Sequence, residues 1–292
     1  MRLSTSLLAF QIKGYSYEEM VEITAGAGFD ALDFSFYPDG FFGPETDSES
    51  FTQDLLRLKG LAEDSGMVFN QAHAPFRPGT IFRDQPETAF YNVVRSMKQA
   101  ALLGADSIVV HPVHYTKYYE PGEPERMFER NMKFYGHLLP YCEEYGIRIA
   151  IENMWQREKK SQRITVSACA KPEELCRYLD TLNSPWFVAC LDIGHAQLNN
   201  DPVHCIRTLG RNRLKALHVH DVDGFNDTHT IPFCGTVDWD GVTTALREIG
   251  YTGDLTFETD NFPGYFPKEL YRPAVNLLAD TGRYLIQKIQ QV

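Results

Sequence analysis

Five stretches share one phrase: GAGFDALDF at 26–34, SGMVFNQAH at 65–73, LGADSIVVH at 103–111, YGIRIAIEN at 145–153 and IGYTGDLTFE at 249–258. In each, a segment with 3.6-residue apolar periodicity ends, a glycine follows, and a short apolar run begins. Gly28, Gly66, Gly104, Gly146 and Gly250 stand where a helix C-terminus needs a left-handed residue. The runs after them are too short for helices and contain consecutive apolar residues, the pattern of strands covered on both faces. A chain that repeats helix, glycine, strand is building parallel βα units.

Outward from these phrases the same alternation extends over the whole chain. Apolar runs at about 3–8, 30–34, 67–72, 106–111, 147–152, 187–192, 214–219 and 254–258 make eight candidate strands. Amphipathic segments lie near 17–27, 50–65, 86–103, 124–145, 171–182, 201–209, 239–249 and 268–289. Pro172 and Pro202 fall early in their helices, where a missing N–H does no harm. No Gly- or Ser-rich linker interrupts the series. The expectation is an α/β fold, a single (β/α)8 TIM barrel domain over residues 1–292. The long segments at 112–123 and 153–170 are then rim loops.

Composition narrows the function classes. Hydrophobic and charged fractions of 43% and 23% are those of an ordinary globular protein. The net charge of −11 works against non-specific nucleic-acid binding, so no nucleic-acid partner is expected. No stretch approaches the ~20 apolar residues of a membrane span, and the first residues lack a full signal-peptide pattern. The six cysteines have no CxxC spacing and read as reduced thiols in a cytoplasmic protein. A homo-oligomer is compatible with this composition.

Nine acids and imidazoles fall at strand ends or in the loops just after them: His73, His111, Glu152, Asp192, His195, His218, Asp227, His229 and Glu258. Five of the nine histidines of the chain are in this set. In a barrel, C-terminal strand ends converge on one face, so residues far apart in sequence meet near the axis. Carboxylate and imidazole are ligands for Zn²⁺, Mn²⁺ and related ions, and burying them without a counter-charge is costly. A metal site built from several strand ends is the first functional expectation.

The phrases HAP (73–75), HP (111–112), IEN (151–153), LDIGH (191–195), HVHD (218–221), DTHTIPFCGTVDW (227–239) and FE (257–258) occur in this order. Together they resemble the xylose isomerase-like TIM-barrel superfamily of sugar isomerases and epimerases, which also contains endonuclease IV. The resemblance implies that Glu152, Asp192, His218 and Glu258 hold one divalent ion, Mn²⁺ first, with Zn²⁺, Co²⁺ or Mg²⁺ as alternatives. His218 is chosen over His220 because the family histidine stands three residues before an acid, here Asp221, which leaves His220 an outer role. The endonuclease IV branch implies further metal ligands at His73, His111, His195, Asp227 and His229, which in the epimerase branch would contact substrate instead.

The implied chemistry is isomerisation or epimerisation of a small-molecule carbohydrate or derivative, with proton transfer by Glu152 and Glu258 beside a metal-polarised carbonyl. His195 would bond a substrate oxygen, and Trp155 and Arg157 are candidate substrate contacts. Alternatives within the superfamily are an inosose dehydratase-like enzyme, a C-glycoside-cleaving lyase, and an endonuclease IV-like zinc phosphodiesterase. One departure weakens a free-ketose 3-epimerase: the arginine found about six residues after the metal histidine is replaced by Gly224. Of the remaining features, His114, His137 and His204 read as solvent-facing. Tyr115, Tyr118, Tyr119, Phe262, Tyr265 and Phe266 read as rim-loop aromatics. Arg157, Lys159, Lys160 and Arg163 form a solvated basic loop, and Trp239 starts a helix and packs on the barrel.

Overall fold

The glycine-headed phrases each form a parallel strand, and their five glycines have φ between 65° and 91°. The structure is a computed structural model that describes residues 1–36, 48–75, 86–114, 117–158 and 160–291. Tyr115 and Lys159 lie outside the described residues. In chain order the strands are β1 (Leu3–Ser6), β2 (Ala31–Ser35), β3 (Val68–His73), β4 (Ser107–Val109), β5 (Arg148–Glu152), β6 (Trp155–Arg157), β7 (Ile164–Val166), β8 (Phe187–Asp192), β9 (Leu214–His218) and β10 (Leu255–Phe257). Eight of these pair in parallel in the order β10-β1-β2-β3-β4-β5-β8-β9. The Val219↔Phe257 bridge brings the two ends together, and β6–β7 is a separate antiparallel pair. The architecture is the expected (β/α)8 TIM barrel.

Helices connect the strands on the outside. The longer ones are α2 (Tyr17–Ala27), α3 (Glu49–Asp64), α4 (Pro86–Leu103), α5 (Glu123–Tyr145), α6 (Pro172–Leu182), α8 (Pro202–Arg213), α9 (Trp239–Glu248) and α11 (Lys268–Gln290). Short helices α1 (Leu8–Ile12), α7 (Ile193–Asn199) and α10 (Asn261–Gly264) follow β1, β8 and β10. Ser16 and Glu19 start α2 with a reciprocal capping box. No described helix is long and apolar enough to cross a membrane.

Period-two alternation divides the strand residues between two cores. Leu32, Phe34, Ile108, Ile149, Ile151, Ala189, Leu191 and Leu217 belong to the large cluster packed on the helices. Val109, Ala150, Val188, Cys190 and Ala216 form a separate small cluster inside the barrel. The remaining interior is polar: Ser4, Asp33, Asn70, Gln71 and Thr256 are all buried. Between Leu32 and Asp33 the β2–β3 register slips, so that Leu32 faces Phe69 but Asp33 faces Gln71. Asn70 is the extra residue of a bulge, which sets Asn70 and Gln71 among the interior polar groups.

Strand β4 is shorter than the run read at 106–111, and two further differences bear on the site. The first strand stops at Ser6, because the Ser6 hydroxyl accepts a bond from the Leu8 N–H and turns the chain into α1. The segment 153–170, read as a loop, contains the β6–β7 hairpin.

Candidate metal centre

Strand register decides which side chains meet at the mouth of the barrel. Asp192 is paired with His218 across β8–β9, and Glu152 with Cys190 across β5–β8. Glu258 follows β10 and sits opposite Val219, whose carbonyl accepts its N–H. Glu152, Asp192, His218 and Glu258 thereby offer one ligand atom each, all within 4.8 Å of one another, and all four are buried. His218 Nδ1 is 2.8 Å from Glu152 Oε1 and 3.3 Å from Glu258 Oε2. Three carboxylates and one imidazole form a donor set suited to a divalent ion. Among the described residues only imidazoles pair with these carboxylates. A small, multiply charged cation fits this cluster.

A second group lies beside the first. His195, His220, Asp227 and His229 also bring one ligand atom each within 4.8 Å of the others. Asp227 Oδ2 is 3.2 Å from His195 Nε2 and 3.1 Å from His229 Nε2, while its buried Oδ1 has no hydrogen-bond partner among the described residues. On the other side of Glu152, His111 Nε2 is 2.6 Å from Glu152 Oε2, and His73 Nε2 is 3.0 Å from His111 Nε2. All nine acids and histidines read from strand ends therefore meet around one mouth.

His220 joins this group although the motif reading left it an outer role. Its Nε2 lies 3.0 Å from Asp192 Oδ2, and its ring stacks on His229 at 4.0 Å between centroids. The LDIGH phrase explains how it fits. A Cβ on Gly194 would lie 2.0 Å from His220 Cε1, so glycine is required there. Asp192 also caps α7 by accepting the His195 N–H at 2.7 Å. Asn153 of the IEN phrase ties β5 to β8: its side chain donates to the Asp192 carbonyl and accepts the Asp192 N–H. Its own carbonyl lies 2.9 Å from His195 Nδ1.

Asp221, the acid of HVHD, is a loop organiser. It accepts bonds from the backbone N–H groups of Val222, Phe233 and Val237 and from the Trp239 indole N–H. This fixes the 227–239 segment that carries Asp227 and His229. Trp239 is buried at the start of α9, as the sequence implied.

A cavity of about 300 Å³ opens above the first group. Its wall combines Leu8, Ile12 and Trp155 with His73, Glu152, His195, Asp227, His229, Glu258 and Asp260. Trp155 donates its indole N–H to Asp227 Oδ2 at 3.0 Å. Arg157 does not line the cavity; it donates to the Asn226 side chain and the Gln162 carbonyl and lies over the Trp155 ring. Lys160 and Arg163 are exposed, consistent with a solvated loop. His137 and His204 are exposed as expected, but His114 is half-buried, and its Nδ1 lies 3.1 Å from Oγ of Ser167, the residue after β7. Tyr118 is buried against Glu174, whereas Tyr265 is exposed. A larger depression of about 560 Å³ between 118–124 and 166–177 lies away from the metal-type clusters.

The charges are strongly coupled. Burial pushes the Glu258 carboxyl up to about 7; His218 and His229 oppose that rise, and the Glu152 and Asp192 charges add to it. Burial lowers His195, yet Asp192 and Asp227 overcome this and lift it to about 10. Burial also lowers His111, to about 4. Glu152 stays well below the usual carboxylate range because His218 and His111 outweigh its burial. Asp33 and Asp260, both close to the site, were not singled out from sequence. Asp260 joins His229 and Glu258 in a third ligand-type group, but it follows β10 in a TDN segment that has no strand or helix periodicity.

A family model described as a xylose isomerase-like TIM barrel matches residues 21–281. The chain belongs to the xylose isomerase-like TIM-barrel family. Proteins similar to it include the uncharacterised protein y4fM of Sinorhizobium fredii, 29% identical over 55% of this chain. They also include a D-psicose 3-epimerase of Enterocloster bolteae, 21% identical over 83% of this chain. The match spans about half of y4fM, 49%, and 76% of the epimerase. Among solved structures of this xylose isomerase-like fold, a D-tagatose 3-epimerase-like protein superposes with a TM-score of 0.75 at 20% identity, covering 99% of this chain and 100% of the other.

Proposed function

We infer that the protein is a divalent-metal-dependent isomerase or epimerase acting on a small sugar or sugar derivative. The observation that carries this reading is the buried convergence of Glu152, Asp192, His218 and Glu258 beneath the 300 Å³ cavity. The resemblance to a D-psicose 3-epimerase and to a D-tagatose 3-epimerase-like protein supports the choice of sugar chemistry. When bound, a divalent ion supplies Lewis-acid polarisation of a substrate carbonyl and its neighbouring hydroxyl. Glu152 and Glu258 move the proton. One carboxylate takes it from the carbon beside the carbonyl, and the other returns it. Return to the same carbon from the opposite face is epimerisation; return at the neighbouring carbon is aldose–ketose isomerisation. His195, held through Nδ1 by the Asn153 carbonyl, shares its Nε2–H between Asp227 and the substrate oxygen. Trp155, Leu8 and Ile12 give the cavity wall an apolar side.

Chelation with EDTA should abolish turnover of the substrate, and Mn²⁺ or Co²⁺ should restore it. Glu258→Gln should lose deuterium incorporation from solvent at the substrate carbon. Full activity in rigorously metal-free protein, or undiminished incorporation in the variant, would contradict this mechanism.

A second reading is zinc-dependent phosphodiester cleavage, favoured by the second group His195, His220, Asp227 and His229. Binding of more than one equivalent of Zn²⁺ together with cleavage of a duplex at an abasic position would establish it in place of the first.

A further inference from the structure

One buried polar path inside the barrel is used by nothing described so far. The Ser4 hydroxyl donates to Asn70 Oδ1 at 2.7 Å. The Asn70 amide donates to Thr256 Oγ1 at 3.0 Å. The Thr256 hydroxyl donates to Gln71 Oε1 at 3.3 Å, and the Gln71 amide donates to Asp33 Oδ2 at 2.8 Å. Every bond in the path points the same way, and the last acceptor is a carboxylate. Aligned bonds of this kind polarise one another in a low-dielectric interior. The path crosses four strands, β1, β3, β10 and β2, and its five residues are all buried. The Asn70 bulge makes it continuous, since it supplies two adjacent inward groups.

Asp33 is left incompletely served by this path. Its Oδ1 is buried and has no hydrogen-bond partner among the described residues. Facing it is His218, whose Nε2 is likewise buried without a hydrogen bond and lies 3.6 Å from Asp33 Oδ2. The opposite nitrogen of the same ring, Nδ1, points at Glu152 and Glu258. A histidine that gives one nitrogen to a metal usually donates its other N–H to a carboxylate, which fixes ring orientation and tautomer. The burial of a carboxylate also needs a reason, because an unpaired one is costly.

We propose that Asp33 is the positioning residue of the metal centre. Anchored by the Ser4–Asn70–Thr256–Gln71 path, it holds His218 with its proton on Nε2, so that Nδ1 presents its lone pair to the cluster. This inference rests on the metal reading above, and its test separates the two. The probe is Mn²⁺ binding by isothermal titration calorimetry, together with ¹⁵N-histidine spectra of the metal-free and Zn²⁺-loaded protein. Asp33→Asn should weaken Mn²⁺ binding about 10- to 100-fold, and the Nε2–H signal of His218 in the Zn²⁺-loaded protein should shift. Thr256→Val cuts the path two bonds away and leaves the carboxylate in place. It should shift binding in the same direction by a smaller factor, and it carries the test if Asp33→Asn does not fold. Affinities within twofold of wild type in both variants, or a Zn²⁺-loaded wild-type His218 that carries no proton on Nε2, would overturn the proposal while leaving the metal centre standing. Wild-type binding that Glu152→Gln leaves intact would remove the metal centre and this inference with it.

Discussion

Gly194→Ala separates packing from propensity, because the two predict opposite signs. Gly194 lies within α7, and replacing a helical glycine by alanine ordinarily stabilises by about 0.5–1 kcal/mol. Here the added methyl would sit 2.0 Å from His220 Cε1 and 2.5 Å from its Nδ1. Carbon atoms in contact settle at roughly 3.5–4.0 Å, so the ring has to retreat by about 1.5 Å. It cannot do so freely, since His229 is stacked on it at 4.0 Å and Asp192 holds its Nε2 at 3.0 Å. Overpacking of this kind costs about 1–3 kcal/mol, and loss of a buried bond to a charged group about 1.5–3 kcal/mol. Less the helix gain, the sum is a destabilisation of about 1.5–5.5 kcal/mol. With an unfolding entropy of about 2.1 cal/mol/K per residue, 292 residues convert about 4 kcal/mol into a fall of roughly 6–7 °C. The assay is thermal unfolding of wild type, Gly194→Ala, His220→Ala and the double variant. In the His220→Ala background the alanine at 194 should cost little or even stabilise, giving a coupling energy of at least about 2 kcal/mol. A Gly194→Ala protein as stable as wild type, or a double variant that shows no relief, would refute the account of why glycine stands in LDIGH.

Two further outcomes are expected. Asp221→Ala should leave four donors, three backbone N–H groups and the Trp239 indole, without their acceptor. At about 1–3 kcal/mol for each buried unsatisfied group, the variant should be largely insoluble, and recovery of soluble protein with wild-type thermal stability would contradict the organiser role. His114 makes stability pH-dependent: burial lowers it to about 4, below the ~6.5 of an unfolded histidine. A depressed folded value means that the unfolded chain binds the proton more tightly. Stability is thus fully present above about pH 6.5 and falls as pH drops toward 4. Because the ring is only partly shielded from solvent, the loss is discounted to about 2 kcal/mol. His114→Gln should flatten that part of the curve, and an unchanged slope would show that other groups carry it.

The barrel was legible because its determinants are local. Glycines with positive φ after amphipathic segments, and apolar runs buried on both faces, announce each βα unit without knowledge of its neighbours. The nine acids and histidines were legible for a related reason: closure of the barrel brings every strand end to one mouth, so strand position alone predicts that they meet. What stayed hidden depends on register. Asp33 in ALDFS gives no local sign that it points inward, and its link to Gln71 exists because a bulge at Asn70 shifts the β2–β3 pairing by one residue. The β6–β7 strands are three residues each, too short to show a period of two. With that hairpin unread, His114 was expected in solvent.

Charge composition orders the first two ligand groups at the mouth. The first holds three carboxylates and one imidazole; the second holds one carboxylate, Asp227, and three imidazoles. Coulombic attraction for a divalent cation grows with the number of anionic ligands, and it is strongest where water is excluded. The Glu152, Asp192 and His218 side chains are each no more than 1% exposed and that of Glu258 is 11% exposed, against 12% and 20% for Asp227 and His229. By charge the first group is therefore the better suited of the two to hold a cation, and the second lies toward the cavity. His220 ties the two together, since its Nε2 faces Asp192 of the first group and its ring stacks on His229 of the second. A change that moves His220 alters both groups at once, and the requirement for glycine at 194 protects that shared residue.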